Sequence, residues 1–418
     1  MVIEIKKMID VDFRDFAKIS VNAYPGFYDS SVNKIKQLEE KFIELQSIES
    51  SKVFYGAFKD QKVVGGMRLY DYKLTLFTSQ INAGGIGSVA VDLLHKKEKI
   101  GKDLISFSLQ HFREKGFPLA VLYPFRPDFY KKMGFGYGTK TNQYRIQPHS
   151  FHKGRSKKHL QFVDASETTE LLDCYNRVAK MTHGMIQKNY NDAASIFKKE
   201  GNSIIGYKEE GSIRGYLVFT FNKVNKNNFL LNNLIIEEII YENTEVLQEL
   251  LTFLNSQMDQ VNEVIVHTQD EYFHYLLKDV RNGTNHIMPH VYHESNVQGV
   301  GIMYRVINTK AIFQQLSSHN FNNANCKLKI TINDDFLKEN EGSVILYFED
   351  GKVKVMEESE YDVEISLHVS EFTSMLVGSI PFKQLLIYGL VSISDSTYVE
   401  TVNRIFATDQ KPMCTTKF

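Results

Sequence analysis

Ser88-Val89-Ala90-Val91-Asp92-Leu93-Leu94-His95-Lys96-Lys97-Glu98-Lys99-Ile100-Gly101-Lys102-Asp103 reads as a strand feeding a basic loop that opens a helix. A helix N-terminus carries unpaired N–H groups and a partial positive charge, so it attracts phosphate. Lys96, Lys97, Lys99 and Lys102 strengthen that attraction, and Gly101 lets a ligand come close to the backbone. A solvated basic turn has the same composition, so the segment alone leaves both readings open. The apolar spacing predicts a helix over 100–114, stopped by Gly116, and 118–123 reads as a buried parallel strand.

Upstream, apolar spacing predicts helices over 12–24, ended by Tyr24-Pro25-Gly26, and over 34–49. Two runs, 52–58 and 62–70, flank Lys59-Asp60-Gln61 as a β-hairpin. Downstream the layout recurs. A strand–turn–strand pattern spans 203–219, a strand 234–241 and a helix 244–258. A duplicated domain is the economical reading. At the place equivalent to the basic loop the second copy has Glu237, Glu238, Glu242 and Glu245, with no lysine and no glycine. That charge repels phosphate, so the second copy is not expected to bind the same ligand.

Beyond residue 300 the pattern changes. Leu328, Ile330 and Ile332 alternate, 343–348 and 352–356 flank an Asp350-Gly351 turn, and 361–367 gives a further strand. Helices are expected next over 369–377, 381–389 and 397–407, which indicates an α+β layer domain. Residues 409–418 form a tail without periodicity.

The 418 residues suggest two or three domains. Lys+Arg 49 against Asp+Glu 50 gives no global reason to expect a nucleic-acid partner. Cys174, Cys326 and Cys414 fit neither a disulfide framework nor a CxxC metal site, which suggests a reducing compartment. No apolar run approaches the ~20 residues a membrane-spanning helix needs, and the first residues lack a secretory apolar stretch. A soluble cytoplasmic protein is expected.

A second segment carries chemistry: Pro124-Phe125-Arg126-Pro127-Asp128-Phe129-Tyr130-Lys131-Lys132-Met133-Gly134-Phe135. It should come after the strand beside the phosphate loop, with a short helix starting near Asp128 as N-cap. Tyr130 is a candidate general acid, since a phenol of pKa about 10 suits proton donation to a departing thiolate. An amphipathic core tyrosine would show the same pattern.

Strand, basic loop, helix, strand and then Phe129-Tyr130-x-x-x-Gly134-Phe135 resemble the acetyl-CoA motif of the GNAT N-acetyltransferases. Over its full length the chain resembles the Eis-like (enhanced intracellular survival) members. The resemblance implies an α/β (α+β) fold: tandem GNAT-like domains with mixed central sheets, plus a C-terminal sterol-carrier-protein-like α+β domain. It places the catalytic domain at 1–150 and a degenerate second copy at 151–300. The third domain is 301–418, with a tail reaching the active site. It implies that Val89, Ala90 and Val91 hold the pantetheine arm, and that Lys96, Lys97, Glu98, Lys99, Ile100, Gly101 and Lys102 hold the pyrophosphate. Phe125 and Arg126 would border the groove. Tyr130 would be the general acid and the terminal carboxylate of Phe418 the general base. Acetyl-CoA would be the cosubstrate. The acceptor would be a primary amine, on an aminoglycoside, a polyamine or a lysine side chain. No metal, nucleic acid or membrane is implied, and assembly as a homo-oligomer (trimer or hexamer) is.

Two residues depart from the family pattern Arg/Gln-x-x-Gly-x-Gly/Ala. Lys99 stands where its first glycine falls, and Leu93 where a proline is common. A left-handed backbone at Lys99 would cost about 1 kcal/mol relative to glycine. The competing reading is a non-catalytic acyl-CoA- or lipid-binding protein, with Phe372, Leu376 and 385–391 lining an apolar cavity rather than building a core. His286, His290 and His293 have metal-like spacing, but Pro289 breaks the helix that spacing needs, so loop or strand histidines are expected.

Overall fold

The computed structural model describes residues 3–225 and 228–418. The first sheet has seven strands in the spatial order Glu4–Lys7, Lys52–Lys59, Lys62–Leu76, Ser79–Val91, Leu119–Leu122, Met303–Val306 and Gly136–Tyr137. The expected hairpin turns at Asp60 and Gln61, both at positive φ, as a tight two-residue connection requires. Helix Phe13–Ala23 turns Phe13, Phe16 and Ala17 onto Phe54, where helix Val32–Ile48 adds Leu38 and Phe42. Helix Ile100–Glu114 buries Ile100, Leu104, Ile105, Ser108, Leu109 and Phe112, one stripe at helical spacing, against the opposite face.

Strand Ser79–Val91 has two irregularities. It pairs in parallel with Leu119–Leu122 only over Ala83 to Gly85, yet runs on to Val91, so the two strands part. It also bulges: the register steps from Arg68↔Gly87 to Gly66↔Ala90, and Ser88 takes φ 52° to absorb the extra residue.

The second sheet repeats the plan, in the order Asn296–Gly299, Thr141–Ile146, Val261–Thr268, Asn228–Tyr241, Ser212–Asn225, Ser203–Glu209 and Leu160–Phe162. Its parallel pair, Asn228–Tyr241 with Val261–Thr268, also parts after Ile236↔Val266. The two sheets exchange strands. Thr141–Ile146 leaves the first copy for the second, and Met303–Val306 returns to lie beside Leu119–Leu122. These strands, and Val261–Thr268, were not anticipated from the sequence.

The C-terminal sheet runs Lys352–Met356, Gly342–Glu349, Cys326–Asn333, Val363–His368, Val391–Ile393, with helices Val369–Leu376, Phe382–Ile387 and Val399–Ile405. Phe372, Leu376 and Leu385 are buried in one core that continues onto Leu74, Leu119, Val121 and Tyr304 of the first sheet. They pack as a core, whereas Ile387, Tyr388 and Leu390 face outward. His286 sits at a short hairpin beside Glu294, 3.0 Å away.

A fully buried ion pair ties strand Met303–Val306 to the C-terminal unit. Arg305 reaches both Asp334 oxygens at 2.7 Å and donates to the Met133 carbonyl at 2.9 Å. Asp334 also accepts from the Leu337 amide and the Asn340 amide group. At the other seam Phe77 is sandwiched between the rings of His183 and His319. His183 Nδ1 accepts from the Phe77 amide, so Nε2 carries the hydrogen donated to the Val377 carbonyl. Burial pushes this imidazole down to about 4.

These contacts predict two effects on stability. Asp334→Ala strands a buried guanidinium and should cost about 3–5 kcal/mol in denaturant unfolding, while the Arg305→Met/Asp334→Leu pair costs less. As pH falls below the ordinary histidine value, the unfolded chain takes up a proton that folded His183 refuses until about 4. Folding stability is therefore lost progressively across that window. Melting temperatures between pH 7 and 4.5 should fall less steeply in His183→Asn than in the unmodified chain.

Candidate active site

Where the strands of the first sheet part, a cleft of about 550 Å³ opens. Val89 and Val91 form one wall. Lys96, Lys97, Lys99, Ile100, Gly101 and Lys102 form the loop end, and Phe125, Arg126, Phe129 and Tyr130 the far wall. Most of the residues singled out from the sequence thus meet at one place. Three do not, Phe418 among them, which is not part of the cleft lining. Ala90 turns into the apolar cluster of Phe13 and Phe16. Glu98 bends away to Lys59 at 2.8 Å and to His95 at 3.2 Å, which leaves the loop lysines facing the opening.

The loop adopts the glycine-like backbone despite lacking the glycine. Lys97 lies at φ 74° and Lys99 at φ 66°, the latter as the N-cap residue of helix Ile100–Glu114. Such conformations turn successive N–H groups to one side and form an anion-binding concavity. Gly101 keeps its place clear: a Cβ there would come within 3.3 Å of the Phe129 ring. The chemistry of this end, four ammonium groups around a helix N-terminus, fits a pyrophosphate. The apolar walls fit a slender arm.

The short helix is Pro127–Lys131, with Arg126 as its N-cap residue rather than Asp128. Asp128 instead pairs with the Arg126 guanidinium at 2.7 Å, which holds Arg126 at the rim. Tyr130 is buried against Phe129 and Phe135, and burial raises its pKa well above the ordinary phenol value. Its hydroxyl has no hydrogen-bond partner among the described residues, so it is a protonated donor at the cleft wall.

Several site residues were not legible in the motif. Tyr24, read only as a helix stop, lines the cleft and donates to the Val89 carbonyl at 2.5 Å. Burial lifts its pKa to about 12. Arg68, Tyr70 and Tyr72 share the sheet face that carries Gly87. Arg68 is buried over the rings of Phe54 and Tyr70.

The tail ends on this same face. The Phe418 ring meets Tyr70, Tyr72 and Tyr123, with centroids 5.5, 5.2 and 5.2 Å away. Its carboxyl carbon lies 3.2 Å from the point where Gly87 would carry a Cβ. Any side chain at 87 would crowd it. Gly87 and Val89 are two residues apart on one strand, so Phe418 and the cleft wall meet the same strand.

Comparison with known proteins agrees with this geometry. Residues 4–138 match an "Acetyltransferase (GNAT) domain" family, residues 185–306 a second family of the same description, and residues 310–415 a "Sterol carrier protein domain". No curated protein matches the chain in sequence. Among solved structures it is similar to a GCN5-related N-acetyltransferase from Anabaena variabilis, at TM-score 0.83 and 18% identity. It is also similar to Eis1 from Mycobacterium abscessus, at TM-score 0.76 and 16% identity. Both comparisons cover 100% of each chain. The chain therefore carries two GNAT acetyltransferase domains in tandem, followed by a sterol carrier domain. Over its full length it shares the fold of these two solved structures.

Lys99→Gly should relieve the left-handed lysine and raise stability by about 1 kcal/mol in thermal or denaturant unfolding. It should also weaken CoA binding several-fold in calorimetry, because one ammonium leaves the concavity.

Proposed function

We propose that the chain moves an acetyl group from acetyl-CoA to a primary amine by direct transfer, the acceptor being a multi-amine small molecule or a lysine side chain. GNAT domains in general use acetyl-CoA, which supplies an activated acetyl thioester. In this reading the backbone of Val89, Ala90 and Val91 holds the pantetheine arm. The Lys96, Lys97, Lys99 and Lys102 ammonium groups and the helix N-terminus hold the pyrophosphate. Phe125 and Arg126 border the groove. Catalytic work sits in 1–150, the degenerate copy is 151–300, and 301–418 delivers the tail. Homo-oligomeric assembly, cytoplasmic placement and independence of a metal belong to the same proposal.

The observation that carries it is the position of Phe418 against the strand that lines the cleft. A carboxylate lies at the parting of the strands, on the strand that lines the cleft, and a protonated phenol stands in the cleft wall. An amine of pKa about 10 is protonated at neutral pH and cannot attack until it loses a proton. The Phe418 carboxylate takes that proton, directly or through water. Tyr130, kept protonated by its burial, gives one to the departing sulfur. Holding both groups beside the reacting pair makes the step effectively unimolecular.

Incubation with acetyl-CoA and a panel of amines, read by free thiol, should show release that depends on the amine. Tyr130→Phe should lower kcat about 10²-fold or more. A single glycine added after Phe418 should do likewise by displacing the carboxylate. Unmodified rates from both changes would overturn the roles, and binding of CoA without amine-dependent release would favour a non-catalytic acyl-CoA-binding protein.

A further inference from the structure

The second sheet parts its strands just as the first does, but the gap is filled by the chain itself. Beyond Ile236↔Val266 the opening is a small cavity of about 190 Å³. One side is formed by Ile236, Glu237, His267, Gln269 and Phe273 and the other by Met413, Cys414, Thr415 and Lys417 of the tail. The next helix, Thr244–Asn255, has its N-terminus closed by Asn243, whose side chain accepts from the Val246 amide at 3.0 Å. The place that receives phosphate in the first copy is thus self-capped in the second.

The tail is held there residue by residue. The Met413 amide donates to the His183 carbonyl at 2.8 Å, and the Cys414 amide to Gln269 Oε1 at 2.6 Å. The Thr416 hydroxyl meets the Tyr175 hydroxyl at 2.8 Å, and Lys417 Nζ meets Glu237 at 3.0 Å. Lys411 pairs with Glu271 at 2.9 Å. Gly184, at φ 91°, leaves room for Pro412 and Met413, since a Cβ would come within 2.6 Å of the Met413 nitrogen. Apart from the Phe418 ring contacts, the first copy's hydrogen bonds to the segment come from Tyr123, whose hydroxyl donates to the Thr416 carbonyl at 3.0 Å.

We infer that the parted strands of the second copy are a binding site for the chain's own C-terminal segment 411–418, and that Glu237, Gln269 and Tyr175 are positioning residues for the Phe418 carboxylate. Glu237, one of the carboxylates that would repel a phosphate, serves a different ligand here: a peptide with a basic residue at the position of Lys417. Glu237 shows the conversion most directly, because its partners are Lys199 and Lys417. Those two lysines hold its carboxyl below the usual carboxylate range against the opposing effect of burial. The inference rests on the reading of Phe418 as general base for its catalytic consequence, but not for the docking itself.

The experiment separates the two. In the full chain, hydrogen exchange should show the Met413 and Cys414 amides protected, and Gln269→Ala should speed exchange across 411–418 at least tenfold. Glu237→Gln should lower kcat at least tenfold, leave the Kd of CoA unchanged in calorimetry, and be partly rescued by Glu237→Asp. A chain ending at Gln410 should bind a synthetic peptide of sequence 411–418. It should regain transfer with the free-acid peptide, whereas the carboxamide peptide should bind without restoring it. Rapid exchange of the tail amides in the unmodified chain, or an unchanged kcat in Glu237→Gln, overturns the inference. If protection and peptide binding hold while the full chain transfers no acetyl group, the docking site stands and the catalytic reading falls.

Discussion

The seating of Phe418 against strand Ser79–Val91 at Gly87 draws the distant parts of the molecule together. It requires a residue without a side chain at 87 and three tyrosine rings to seat the phenylalanine. It also requires a strand that has already left its neighbour. Here the aromatic ring supplies the apolar anchorage, and the backbone and side-chain hydrogen bonds along 413–417 satisfy the segment leading to it. All three units of the chain take part: the first offers the face, the second the grip, and the third the segment.

Duplication explains how one architecture supports both halves of that arrangement. Each copy parts a pair of parallel strands before a helix, and each gap calls for an occupant. In the first copy lysines and a helix N-terminus make the gap electropositive. In the second, Glu237 and Glu238 line the opening, and Asn243 closes the helix end. The same geometry with opposite charge selects opposite ligands.

The exchange of strands between the sheets, together with the Arg305–Asp334 pair, explains why the units hold one relation to each other. Met303–Val306 completes the first sheet from far downstream in the chain, and its Arg305 carries a charge that only Asp334 neutralises. With neither partner exposed, separation would leave both groups without water or counterion.

Much of the site was legible in the residues themselves. The strand, lysine loop and helix of 88–114, the hairpin at Asp60-Gln61, the second copy at 203–258 and Tyr130 all depend on local spacing, which a sequence displays directly. Lys99 shows a departure from a motif that leaves its conformation intact, since the left-handed backbone is imposed by the loop and tolerated by the lysine. The role of Tyr24, the face shared by Arg68, Tyr70 and Gly87, the exchanged strands and the path of the tail were not legible. Each depends on which strands pair and which faces meet, and that is set by burial summed over distant segments. Local periodicity and charge determined what kind of site this chain builds. Long-range pairing, whose entropy cost is met only when the whole core closes, decided where the chain's last residue comes to rest.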